Sequence, residues 1–260
     1  MTLELLEEIE KATDMVLKAR HVVAVIGAGM SVESGIPPFR GPGGLWTKYG
    51  EPPMDGYQRF LADPKGWWET YQQASYRREL DTAIRQAKPN PGHHALAELE
   101  QMGILKHIIT QNVDNLHQAA GSKNVAEIHG NRYKLRCISC SSRFERDKFQ
   151  ISELPPHCPH CSGIVKGDGV MFGEPIPADT LARCEDETHK CDCMFLIGTS
   201  GTVYPTAGFP VVVKRSGGSL IEVNLYETSL TYMCDAVLRG PSGESLPLLV
   251  QRVKERQSAA

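Results

Sequence analysis

The stretch at residues 21–41, HVVAVIGAGMSVESGIPPFRG, limits the possible fold more than any other part of the chain. Val22, Val23, Ala24, Val25 and Ile26 form a short apolar run rich in β-branched residues and closed by glycine. That is the pattern of a strand buried on both faces of a parallel sheet. Gly27-Ala28-Gly29 then lets the backbone turn sharply and approach a ligand with no Cβ in the way. Ser31 is placed to cap a short helix whose free N–H groups face an anion, a diphosphate being the natural candidate. Val32 replaces the third glycine of GxGxxG, so the glycine pair alone is a weak nucleotide signal.

The next ten residues depart from a dehydrogenase, whose first unit runs through a helix and second strand to an acid about 20 residues on. Gly35-Ile36-Pro37-Pro38 stops a helix early, and Gly41-Pro42-Gly43-Gly44 keeps the chain irregular. Phe39 and Arg40 are therefore expected on a loop over the phosphate site, with a solvated Pro/Gly loop as the alternative.

Asn90-Pro91 reads as the cap and first-turn proline of a helix that Gly103 stops. A second buried strand is expected over 104–110, ending in TQNVDNLH (110–117). Ligands of open parallel sheets bind at such strand ends, near the point where strand order reverses. Gln111, Asn112 and Asp114 offer the mixed donors and acceptors that suit a ribose and a carboxamide, although a capped loop uses the same residues. A brief strand over 125–128 ends at His129-Gly130. An imidazole there is either a satisfied polar group or a base, since it accepts a proton near neutral pH.

Cys137-x-x-Cys140 and Cys158-x-x-Cys161, 17 residues apart, are paired knuckles that set four thiolates tetrahedrally about zinc. Four protein ligands close the site, so the metal is structural. Composition matters here, because eight cysteines in a secreted chain would argue for disulfides. The N-terminus is acidic and amphipathic and no 18-residue apolar run exists. A cytoplasmic protein with no leader and no membrane contact is expected. Cys184, Cys191, Cys193 and Cys234 lack metal spacing and are read as buried thiols. The balance of 28 basic and 31 acidic residues gives no bulk nucleic-acid signature. Residues 131–168 carry seven Lys/Arg against four acids without clustered aromatics, so no specific nucleic acid is expected.

GAGMSVESGIPPFRG, TQNVDNLH, the His129-Gly130 pair and the paired cysteines succeed one another as in the sirtuins, the NAD-dependent protein-lysine deacylases. The chain resembles that family over nearly its whole length. The resemblance implies NAD held by Gly27, Ala28, Gly29, Ser31, Phe39, Arg40, Gln111, Gly198, Thr199, Ser200, Asn224 and Ser242, with Asn112 and Asp114 on nicotinamide and its ribose. It implies His129 as general base and a structural zinc on Cys137, Cys140, Cys158 and Cys161. It also implies a slot where an acylated-lysine peptide pairs as an extra strand, lined by Val170, Phe172, Gly173 and Glu174, with the Val170 carbonyl taking the lysine amide. Family members that prefer acidic acyl groups carry Tyr and, three residues later, Arg. Tyr71 matches but Ala74 does not, so acetyl is the expected acyl group and Arg77 and Arg78 are read as solvated charges. Pro38 stands where Thr or Asp is usual, and Gly201 replaces an apolar residue and is expected to loosen the second side of the slot. The rival readings are an ADP-ribosyltransferase or NAD glycohydrolase, and a non-catalytic reader of acyl-lysine or NAD metabolites.

The expected architecture is α/β. A Rossmann-like parallel-sheet domain (1–41, 89–130 and 169–260) carries a smaller lobe, made of a helical insertion (42–88) and a zinc ribbon (131–168). Helices are expected over 3–19, 67–87, 177–190 and 205–215 and after the turn at 240–243. Strands are expected over 194–197, 220–223 and 236–238, and residues 169–174 are expected to rejoin the sheet. The cleft between the lobes should hold the site.

Overall fold

The structure is a computed structural model that describes residues 3–71 and 75–259, side chains at 71, 75 and 76 excepted. Helix α1 (Leu3–Lys18) leads into β1 (Val22–Ile26), every residue of which is buried. The reason is coverage on both faces. Val22, Ala24 and Ile26 point into one cluster with Ile9, Val16, Leu96, Leu246 and Leu249, while Val23 and Val25 point into another with Phe209 and Val213.

After β1 the chain enters a helical module of α2 (Leu45–Tyr49), α3 (Gly56–Ala62), α4 (Pro64–Tyr71) and α5 (Ser75–Gln86). The helix expected over 67–87 falls on α4 and α5. The Tyr71 side chain and Ala74 lie outside the described residues. Helix α4 begins earlier than expected because Asp63 accepts the Gly66 N–H at 2.9 Å and Pro64 suits a first turn. In α6 (Pro91–Gln101) the Asn90 oxygen accepts the N–H groups of Gly92 (3.0 Å) and His93 (3.3 Å). The Asn90 amide also donates to the Met30 carbonyl at 2.8 Å, tying this helix to the loop after β1.

β2 (Leu105–Thr110), α7 (Leu116–Ala120) and β3 (Val125–Glu127) come next. An antiparallel ribbon then comprises β4 (Lys134–Cys137), β5 (Arg143–Glu145) and β6 (Val165–Gly167), in the order β5-β4-β6. Residues 169–174 do not rejoin the sheet. The Glu174 carboxylate takes the Met171 N–H at 2.8 Å and Gly173 has φ +77°, which bends the segment into a turn. The sheet resumes after α8 (Ala178–Lys190) with β7 (Cys193–Ile197). A 3₁₀ turn at Thr206–Gly208 precedes α9 (Phe209–Arg215), and β8 (Ser219–Asn224), β9 (Ala236–Arg239) and α10 (Ser242–Ser258) complete the chain.

The six parallel strands lie in the order β3-β2-β1-β7-β8-β9. β1 is the reversal point, paired with β2 on one side and β7 on the other, and Ile26 is level with both Thr110 and Ile197. The carboxyl ends of the central strands therefore form one platform, which is where such sheets bind ligands. The helical module and the ribbon sit above it and share a core. Trp67 and Trp68 pack with Leu135, Val165 and Phe144, and the Trp68 indole donates to the Val165 carbonyl at 3.1 Å.

Three histidines are enclosed by this fold. Burial pushes His93 and His107 down to about 4 and His117 to about 3, and the His93 and His117 rings lie 4.9 Å apart. Each is neutral when folded and takes a proton more readily when unfolded, so the unfolded state gains protons as pH falls. Stability is expected to be lost progressively below pH 6.5, through the range where these rings would charge, down to about 4. Urea midpoints between pH 4 and pH 7.5 check this, and a midpoint that stays level below pH 6 would contradict it.

Candidate active site

The site begins where two loops cross at the reversal point. The Gly27 N–H donates to the Ile197 carbonyl and the Gly29 N–H to the Gly198 carbonyl, both at 2.9 Å. A Cβ on Gly27 would stand 2.6 Å from the Gly198 oxygen, and one on Gly198 (φ +57°) would stand 2.3 Å from the Met30 nitrogen. These glycines are therefore required by loop-on-loop packing as well as by any ligand above. Ala28 keeps a backbone N–H without a partner among the described residues, at the cavity wall.

Ser31 is not a cap, in contrast to the sequence expectation. It lies inside a 3₁₀ helix, Ala28–Ser34, that has Gly27 at its cap position. Its buried hydroxyl instead links two residues of the loop after β2. Ser31 Oγ donates to Asp114 Oδ2 at 2.7 Å and accepts from Asn112 Nδ2 at 3.1 Å. A hydroxyl has one proton, so this direction is fixed. Asp114 Oδ1 accepts the Leu116 N–H at 3.0 Å, and Asn112 Nδ2 also donates to the Gly27 carbonyl at 3.1 Å. Asn112 lines the cavity, while Ser31 and Asp114 lie one layer beneath it and hold Asn112 in place. Burial holds the Asp114 carboxyl above its ordinary range, opposed by the Leu116 N–H and the Ser31 hydroxyl.

Gln111 bridges three strand ends, donating from Nε2 to the Ile26 carbonyl (3.2 Å) and to Thr199 Oγ1 (3.0 Å). Its own carbonyl lies 3.2 Å from His129 Nδ1. A carbonyl only accepts, so the ring proton sits on Nδ1 and Nε2 carries the basic lone pair. His129 lines the cavity, and burial lowers its pKa from the ordinary 6.5, opposed by the bond to Gln111.

Over this floor stands an aromatic row. Phe39 and Trp46 are 5.1 Å apart by ring centroids, and Trp46 and Phe172 are 5.6 Å apart. Pro38 and Phe39 offer their carbonyls to the N–H groups of Leu45 (2.9 Å) and Trp46 (2.8 Å), so the loop is fastened through its backbone. Arg40 stacks on Trp46 at 4.5 Å and pairs with Glu51 at 2.9 Å on the rim. Arg77 is not a solvated charge as expected. It lines the cavity wall with its guanidinium 5.8 Å from the Trp67 ring.

Toward β8 and β9, Asn224 Nδ2 donates to the Thr199 carbonyl at 3.0 Å, and Ser200 and Ser242 also line the cavity. Sequence reasoning misses Glu33, whose carboxylate accepts from Ser242 Oγ (3.1 Å) and the Gly243 N–H (2.8 Å) at the start of α10. Gly201 does not loosen its loop. With φ +68°, it packs so closely on Leu230 that a Cβ would come within 2.4 Å.

On the opposite wall, the Val170 N–H donates to the His129 carbonyl at 2.9 Å, and the Val170 carbonyl has no partner among the described residues. The Phe172 carbonyl is taken by the Tyr57 N–H at 3.0 Å. Glu174, expected as a substrate contact, has its carboxylate turned inward to Arg136 (2.6 Å) and Lys166 (3.0 Å). Burial pulls the Lys166 ammonium down to about 8, with Glu174 resisting. These partners escape a sequence reading because Arg136 and Lys166 look like ordinary ribbon charges.

Above this wall, the Sγ atoms of Cys137, Cys140, Cys158 and Cys161 lie within 4.8 Å of one another, with Cys137–Cys161 at 3.5 Å and Cys140–Cys158 at 3.7 Å. A zinc–sulfur bond of about 2.3 Å gives a tetrahedral edge of about 3.8 Å, so the four residues fit zinc. Ser141 and Ser162, both at φ +59°, return their N–H groups to the carbonyls of Cys137 and Cys158 and fold the two knuckles alike.

One cavity of about 1490 Å³ joins the glycine crossing, Gln111, Asn112, His129, the aromatic row, Val170 and Asn224. Small-molecule pockets typically span about 300–1,000 Å³, so this one has room for a dinucleotide and an inserted side chain. Its polar groups at the platform and its open Ala28 N–H suit such a ligand.

The Sir2 family profile matches residues 27–205. The NAD-dependent protein deacylase of Pyrococcus furiosus is 44% identical over 255 residues, covering 96% of this chain and 98% of the relative. A mutant Sir2 homologue bound to ADP-ribose is 40% identical with a TM-score of 0.83, over 96% of this chain and 98% of that one. A Sir2 structure with a p53 peptide and NAD+ is 32% identical with a TM-score of 0.75, over 97% of this chain and 99% of that one.

Purified protein is expected to hold one zinc, and Cys137→Ser to lose it together with amide protection across β4 and β6. Atomic emission and hydrogen exchange read the two effects. Full zinc content in that variant would contradict the ligand set.

Proposed function

The chain belongs to the Sir2 family, and from that premise we propose that it removes acyl groups from protein lysines and passes them to ADP-ribose, releasing nicotinamide. The observation that carries this reading is the fixed tautomer of His129, a cavity-facing base beside the Asn112–Ser31–Asp114 chain and the open Val170 carbonyl.

NAD supplies the bond that breaks, between ribose and nicotinamide, and the hydroxyl that receives the acyl group. The protein's part is to orient and to move one proton. Asn112, its two amide N–H groups spent on the Gly27 carbonyl and Ser31 Oγ, has Oδ1 left to accept from the nicotinamide end, and Asp114 acts through that hydroxyl. Gln111 and Asn224 lie on either side of Thr199 and suit the two riboses. The aromatic row of Phe39 and Trp46 excludes water from the reacting carbon. His129 Nε2 takes a proton from a ribose hydroxyl, and its Nδ1–H bond to Gln111 keeps the ring aimed while it does so. The Val170 carbonyl accepts the lysine amide N–H, so substrate affinity rests on backbone groups common to all peptides. Zinc holds the ribbon and takes no part in the chemistry. Acetyl-lysine is the assigned substrate class. Among the described residues no helix is long and apolar enough to cross a membrane. Four cysteines gathered for a metal, beside free thiols at Cys184 and Cys191, suit a reducing compartment, and we assign the cytoplasm on that ground.

His129→Ala is expected to lower turnover by about 10²–10⁴-fold with the melting temperature kept. The base works when neutral and burial holds its pKa below 6.5, so kcat/KM should be level through pH 6.5 and fall only below it. An acid limb centred above pH 6.5 would remove the assignment. Nicotinamide release measured with and without acetyl-lysine peptide tests the reaction class. Release that ignores the peptide would favour simple NAD cleavage.

A further inference from the structure

Four buried charges, two of each sign, join the ribbon to the wall that faces the peptide. Glu174 Oε2 accepts the Met171 N–H (2.8 Å) and the Lys166 ammonium (3.0 Å), while Oε1 accepts Arg136 (2.6 Å). Lys166, wholly buried, also donates to the carbonyls of Gly167 (2.8 Å) and Gly169 (2.7 Å). Arg136 Nε reaches Asp168 Oδ1 at 3.0 Å, and Asp168 Oδ2 accepts the N–H of Asn131 at 2.9 Å, two residues beyond the base. Burying ion pairs brings little net stability, because desolvation offsets the attraction. The cluster's bonds do tie together the segments that carry them. Here those segments are β4, β6, the end of the His129 strand and the turn that presents Val170.

We infer that Glu174 is a positioning residue for the peptide: clamped by Arg136 and Lys166, it sets the turn so that the Val170 carbonyl meets the substrate lysine amide within reach of His129. Its carboxylate is enclosed in the cluster, so it acts on the peptide through the turn. Arg136 is next to the zinc ligand Cys137, so the metal knuckle sets the peptide wall through one side chain. The inference rests on the deacylase reading above.

The test uses the full-length zinc protein and compares wild type with Glu174→Gln and with the charge-balanced Glu174→Gln/Lys166→Met. Steady-state kinetics on an acetyl-lysine peptide at saturating NAD are paired with anisotropy of the labelled peptide, calorimetry with NAD, zinc content and melting temperature. Wild type that neither deacylates nor releases nicotinamide sinks the deacylase reading, independently of the variants. Given wild-type turnover, Glu174→Gln is expected to raise peptide KM and Kd about tenfold, with kcat within about threefold and NAD affinity and zinc unchanged. The double variant is expected to recover only part of the melting temperature, since charge is balanced while the carbonyls of Gly167 and Gly169 lose their donor, and not the KM, since the turn remains unheld. The inference is overturned if peptide KM and Kd stay at wild-type values, if NAD and peptide binding weaken equally, or if the double variant restores KM. Should Glu174→Gln not fold, the double variant decides by the same criteria.

Discussion

Everything at the platform depends on one close approach, the crossing of the backbone after β1 with the backbone after β7. Gly27, Gly29 and Gly198 meet there at distances that admit no Cβ. Because these loops touch, the ends of β1 and β7 are level, Gln111 spans from Ile26 to Thr199, and its carbonyl falls where it can orient the imidazole. Steric exclusion between two backbones thus sets the aim of a base on a third strand.

The polar layer beneath the cavity works by the same logic of fixed direction. A single hydroxyl proton on Ser31 decides that Asn112 gives and Asp114 receives. A carbonyl that only accepts decides which His129 nitrogen is protonated. Neither arrangement needs a charged group at the surface of the cavity. Preorganised neutral dipoles in a half-dry site are effective because they do not reorient as charge develops.

Much of this is legible in the sequence, and the parts that are not share a cause. The buried run 22–26, the Asn90 cap and the cysteine spacing are local patterns, and each produces the expected element. The TQN loop and His129 are legible because strand ends in parallel sheets gather ligands. Ser31 misleads because its partner Asp114 is 83 residues away, and a cap looks the same locally as a buried linker. Glu174 reads as outward-facing for the same reason, since Arg136 and Lys166 are 38 and 8 positions back and carry no periodic signal. Arg77 reads as solvated because helical spacing says which face a residue occupies and not what stands opposite.

The shared core beneath Trp67 and Trp68 has a consequence for how such a molecule can change. The helical module and the zinc ribbon enter the chain separately, yet an indole of one is bonded to a carbonyl of the other and their apolar side chains form one cluster. Neither insertion can be lengthened, swapped or discarded without reshaping its companion. The two form one packed unit that meets the sheet through two separate stretches of chain.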